Sequence, residues 1–173
     1  TGGLARVPLD GGEPERIAGD RGPVFSLTSH GDRVFWTAHA GVGPDEILSL
    51  GPGEDEPTLH YSYSRGIVSL AVDADHIYWV EAVFEPLSST VARLGRGEGA
   101  SQARGLWRHE GFLLDHLLVG SQHLFFGYSA VEDQGNLYAL GMGGGDEGLR
   151  IRPRDRHGNA GIGAELARAH GQR

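Results

Sequence analysis

A chain of 173 residues with 39% hydrophobic content is long enough for one ordinary domain with a real core. Its 23 acidic residues outnumber 15 basic ones, all of them Arg, for a formal net charge of −8, so the basic stripe that neutralises phosphates is missing and no nucleic-acid partner is expected. Cysteine is absent, which excludes a disulfide framework, a thiolate metal site and a cysteine nucleophile, and no apolar run is long enough to span a membrane.

Taken along the chain, Thr1 to Arg6 carries no signal-peptide pattern, and Leu4-Ala5-Arg6-Val7 is the first strand-like run. Val24 to Arg33 then reads as strand and polar turn, leading into the strand Val34-Phe35-Trp36. The same course returns twice: Ile67 to His76 leads into Ile77-Tyr78-Trp79, and Leu114 to His123 into Leu124-Phe125-Phe126. These aromatic doublets are spaced 43 residues from Trp36 to Trp79 and 47 from Trp79 to Phe126.

After each doublet comes a variable loop and a third short strand, Ile47 to Leu50, Val91 to Leu94 and Leu137 to Leu140. Leu4 to Val7 stands in the same place before Pro8-Leu9-Asp10-Gly11-Gly12 as Ile47 to Leu50 does before its own glycine turn. Fourth strands follow, for example Thr58 to Tyr61 and Leu149 to Arg152. The 29 glycines have no three-residue period and cluster between these runs, as tight turns require.

Four short strands in a unit of about 40 to 50 residues is the pattern of a β-propeller blade. The expectation is an all-β chain, a partial propeller with about three complete four-stranded blades over 24–64, 67–110 and 114–153, plus part-blades at both ends. The closing strands of one blade fall at 3–20 and the opening strand of a further one at 160–173. Ala164 to His170 has helix-favouring residue types, but Ala169-His170-Gly171-Gln172-Arg173 falls on Ser29-His30-Gly31-Asp32-Arg33, which favours the strand. A closed ring needs about four to eight blades, so the chain reads as part of a longer propeller, or as a half-ring that self-associates through open blade edges.

The elements Asp75-His76-Ile77-Tyr78-Trp79-Val80-Glu81 and Leu4-Ala5-Arg6-Val7-Pro8-Leu9-Asp10-Gly11-Gly12 resemble the YWTD propeller repeats of lipoprotein-receptor ectodomains. They look even more like bacterial propeller proteins in which a "YW" strand is followed by a strand ending in "PLDGG". The resemblance covers nearly the whole chain and implies a propeller, an extracytoplasmic or secreted setting, and ligand binding or scaffolding as readily as catalysis. Where the family has Thr then Asp after Tyr-Trp, the copies here have Thr37-Ala38, Val80-Glu81 and Gly127-Tyr128. Only Glu81 keeps an acid, which makes it a candidate binding residue. Streptogramin lyases also resemble this repeat style, but none of their catalytic residues maps onto a position here.

Gly51-Pro52-Gly53, Gly95-Arg96-Gly97 and Gly141 to Gly145 occupy the same turn in successive repeats, so they read as turns rather than phosphate cradles, and no cofactor is expected. Asp73-Ala74-Asp75 lacks the later glycine and glutamate of a calcium loop and reads as a hairpin turn. Of nine histidines, His30, His76, His123 and His170 sit at or near repeated turn positions. Tyr61, Tyr63, Trp107 and His109, on or beside the fourth strands, read as packing between blades. Asp115-His116 breaks the repeat, because Phe25-Ser26 and Val68-Ser69 stand there in the earlier copies. In a propeller the first strand lines the channel, so Asp115 or His116 is a candidate binding or general acid–base group, although adjacent strand residues point oppositely and are not expected to pair. The functional expectation is a non-enzymatic binding or scaffold domain presenting loops for a protein, peptide or glycan partner. The alternative is a lyase or hydrolase at the channel mouth using Asp115 or His116.

Overall fold

A computed structural model describes residues 2–19, 21–39, 41, 43–64, 66–128, 136–142, 147–151 and 165–168. They form an all-β structure of four antiparallel sheets. The first sheet pairs β1 (Gly3–Arg6) with β2 (Glu15–Gly19), and the second is the meander β3 (Val24–His30), β4 (Arg33–His39), β5 (Asp45–Leu50) and β6 (Thr58–Tyr63). The third repeats it with β7 (Gly66–Val72), β8 (His76–Phe84), β9 (Leu87–Gly95) and β10 (Arg104–Glu110). The fourth holds β11 (His116–Val119), β12 (His123–Tyr128), β13 (Asn136–Gly141), β14 (Glu147–Ile151) and β15 (Glu165–Arg168). No helix among the described residues is long and apolar enough to cross a membrane.

Branched and aromatic residues dominate these strands, while Gly, Asp and Ser close the hairpins, as at Gly31, whose φ of 62° lets the β3–β4 turn reverse in two residues. The aromatic doublets explain how the sheets stack. Neighbouring residues of a strand face opposite sides of a sheet. Phe35 therefore packs forward with Ile67, Ile77 and Trp79 of the third sheet, while Trp36 packs back on Leu4 of the first. Tyr78 likewise faces forward to Leu124, Phe126 and Tyr138 of the fourth sheet, and Trp79 faces back. Each such buried aromatic contributes about 1.5–3 kcal/mol by leaving water.

The leading strands β3, β7 and β11 are end strands of their sheets and lie side by side, β3 against β7 and β7 against β11. Since every sheet is a meander, the starts of these strands share one end of the molecule with the β4–β5 and β8–β9 connections. We call it the rim. The segment 160–173, expected to open a further blade, is described only over Glu165–Arg168, where β15 pairs antiparallel with β14 as a fifth strand. The outer edge of β14 offers a row of N–H and C=O groups that a further strand satisfies by pairing there.

Candidate functional site

At the rim the ladders begin irregularly. The register slips between Val24 and Ser26 in β3 and between Ile67 and Ser69 in β7, so Phe25 and Val68 are each the extra residue of a β-bulge. Asp115 stands at the same repeat position immediately before β11, where its N–H donates to the carbonyl of Gly127 (3.1 Å). Three adjacent strands thus present Phe25, Val68 and Asp115 at one level. Phe25 is 63% exposed, while Val68 packs partly buried against the core between the third and fourth sheets. Phe84, exposed at the end of β8, places its ring beside Gly66 at the start of β7.

Asp115 and His116 do come together, with His116 Nε2 3.7 Å from Asp115 Oδ1. Asp115 precedes the first residue of β11, so strand alternation does not set the two side chains apart. The His116 side chain is 81% exposed, so this ion pair stands in water, where such pairs contribute little. Glu81 lies elsewhere, on β8 opposite Ile67. Its Oε1 accepts from Trp79 Nε1 (2.9 Å) and from the Tyr61 hydroxyl of the preceding sheet (3.2 Å). Burial, and then the charge and hydrogen bond of Glu81, push the Tyr61 hydroxyl up to about 12. Tyr61 also packs on Trp79 with ring centres 4.5 Å apart, so Glu81 ties the second sheet to the third.

A second tie at the same seam escaped sequence reasoning. Asp45, first residue of β5 and only 4% exposed, accepts the backbone N–H of Ile67 on Oδ2 (2.8 Å), while Oδ1 meets Nδ1 of His39. His39 and Asp45 are ladder partners, as are Ala82 and Ser89 one repeat later. Ser89 makes the equivalent tie, its Oγ accepting the N–H of Leu114 (2.9 Å) and donating to the carbonyl of Phe112 (3.3 Å). At the corresponding place before β1 stands Gly2, where an added Cβ would lie 1.9 Å from the carbonyl oxygen of Gly22. The starts of β7 and β11 are therefore fastened to the sheet before them, by a carboxylate and a hydroxyl, while Gly2 packs closely on the backbone just before β3.

The opposite end is built for turns. Asp73 accepts the N–H groups of Asp75 (2.8 Å) and His76 (2.7 Å) and the hydroxyl of Tyr78 (2.9 Å). Burial alone would raise its carboxyl, but these bonds outweigh it and hold Asp73 below the usual carboxylate range. Arg33 bridges Ser49 (2.9 Å) and Glu54, Ser49 meets His60 Nε2 (2.8 Å), and Arg96 lies 5.3 Å over the Phe35 ring. Burial first, then the charges of Arg33 and Arg96, lowers His60. Back on the rim side, at the end of β10, His109 stacks on Phe112 with centres 3.9 Å apart and beside Trp107, and burial lowers it too.

No family model matches the sequence, and no curated protein does. Among 31 matching solved chains is one from the S. cerevisiae Dbp5 assembly with Nup159, Gle1, IP6 and ADP, with a TM-score of 0.51 and 10% identity. The match covers 81% of this chain, which spans 40% of the length of that one. At such identity the likeness concerns fold alone.

Proposed function

We propose that the chain is a run of β-propeller blades, three complete and flanked by part-blades, acting as a non-enzymatic domain that binds a protein, peptide or glycan partner at its rim. Repeated meanders with leading strands side by side, doublets that face both neighbours, and a fastening at the same point in successive repeats support the propeller reading. The resemblance to receptor ectodomains and bacterial propellers supports an extracytoplasmic setting.

The exposure of the rim carries the functional reading. Acid–base catalysis is favoured in a site that excludes water. Here His116 and Asp115 lie open to solvent, and Phe25 and Phe84 are exposed, a mix of aromatic anchors and polar groups suited to a contact surface. The test is a screen of the 173-residue protein against displayed peptides and arrayed glycans, paired with hydrolase and lyase substrate panels. Saturable binding weakened by Phe84→Ala or His116→Ala is the expected result. Turnover abolished by His116→Ala or Asp115→Asn would establish the channel-mouth enzyme instead.

A further inference from the structure

The fastening of Ile67 needs one acceptor atom, and one repeat later Ser89 supplies just that for Leu114. Asp45 supplies two oxygens, and the second holds an imidazole that the next repeat replaces with Ala82. His39 satisfies the second oxygen of a buried carboxylate, a need that Ser89 does not create, and its ring brings a further nitrogen to the rim. Its Nδ1 faces a carboxylate, which only accepts, so the proton of the neutral ring sits on Nδ1 and Nε2 carries a lone pair. A carboxylate behind an imidazole is the arrangement by which proteins orient histidine for work at its other nitrogen.

That other nitrogen is available. The His39 side chain is 40% exposed, and Nε2 has no hydrogen-bond partner among the described residues and is not a buried polar atom. The ring is oriented by the contact of Nδ1 with Asp45 and by the Phe25 ring, which meets it edge to face at 5.6 Å and 74°. Phe25 is the outward-turned bulge residue, and its counterpart one repeat later is Val68. An oriented acceptor and an exposed aromatic face, both unrepeated, stand side by side at the rim.

We propose that His39 and Phe25 form a subsite for a neutral saccharide, with a hydroxyl donating to Nε2 and the C–H face of the sugar lying on the phenyl ring. This rests on the binding reading above and narrows it to one partner class. A net charge of −8 disfavours anionic ligands. A peptide adding as a strand is also disfavoured, because β3 and β7 already lie against each other and leave no free edge between them.

The test is NMR of the 173-residue protein with isotope-labelled histidine, titrated near neutral pH with the methyl glycosides of glucose, galactose, mannose and N-acetylglucosamine. At least one should give a saturable shift of the His39 imidazole signals. Phe25→Ala should weaken it about tenfold or more, equivalent to about 1.4 kcal/mol, and Phe25→Tyr should retain it. Asp45→Ser, which keeps an acceptor for Ile67 but releases the imidazole, should lose the response, and His76→Ala should not change it. No response from any glycoside, or an undiminished one in Phe25→Ala, overturns the subsite. A response only to N-acetyl-tyrosinamide also overturns the saccharide assignment while leaving the binding reading intact. Turnover abolished by His116→Ala removes the binding reading independently.

Discussion

Replacing Asp45 with Ala and with Ser separates the two tasks of that carboxylate. In Asp45→Ala the N–H of Ile67, a residue 1% exposed, loses its acceptor. An orphaned buried donor costs about 1–3 kcal/mol, and the lost partner here is charged, so a loss of about 3 kcal/mol is expected. Asp45→Ser restores an acceptor of the kind Ser89 provides and gives up the contact with His39, which is 40% exposed and so worth about 1 kcal/mol or less. For a chain of this size each kcal/mol moves Tm by about 2–4 °C, giving drops of about 6–12 °C for Ala and about 2–4 °C for Ser. Urea unfolding with an unchanged m value measures both. If the two variants lose the same stability to within about 0.5 kcal/mol, Ile67 does not depend on that acceptor and the fastening is decorative.

Ser89→Ala should orphan the Leu114 N–H in the same way, for about 1–3 kcal/mol in urea unfolding. Tyr61 should stay protonated until about pH 12 in a phenolate absorbance titration, and Glu81→Gln should bring its titration back toward the ordinary tyrosine range. His60 is held below its ordinary value, so its contribution to stability is full above the unfolded histidine value of about 6.5 and is lost as pH falls through the folded one. Stability should therefore decline as pH falls below about 6.5, and His60→Gln should flatten the slope in part, with His109, which shifts the same way, contributing to the remainder. Trp107→Ala should cost about 3–5 kcal/mol, since Trp107 packs on Phe126, Phe112 and Tyr138 at the seam of the last two sheets.

Much of the strand order was legible because one pattern recurs with its turn residues in place. Val34-Phe35-Trp36 and Ile77-Tyr78-Trp79 marked second strands, and Ile47 and Val91 lie in third strands. The fastenings were not legible, because Asp45 and Ser89 each join a side chain to a backbone N–H more than twenty residues away, and the side chain differs between the two. One clue was present. Asp45, Ile47 and Ser49 share a strand face by alternation, so an acid at that face needed a buried partner. The alignment also flagged Asp115-His116 as an exception, yet columns of residues do not show that Phe25 is a bulge. Glu81 was singled out because it alone keeps the acid of the motif, while its partner Tyr61 sits on another sheet, beyond the reach of local spacing.

The differing fastenings also set a hierarchy of partial opening. The last two seams each combine packed aromatic residues with amides tethered by side chains, so the chain can loosen layer by layer before it unfolds as a whole. The amide protons of Ile67 and Leu114 report on two different layers, one held by a carboxylate and the other by a hydroxyl. Hydrogen exchange at these two positions measures how far one layer gives way without the next. A rim made of several such layers can adjust the spacing between its parts, and a bound partner that spans two of them would slow exchange at both.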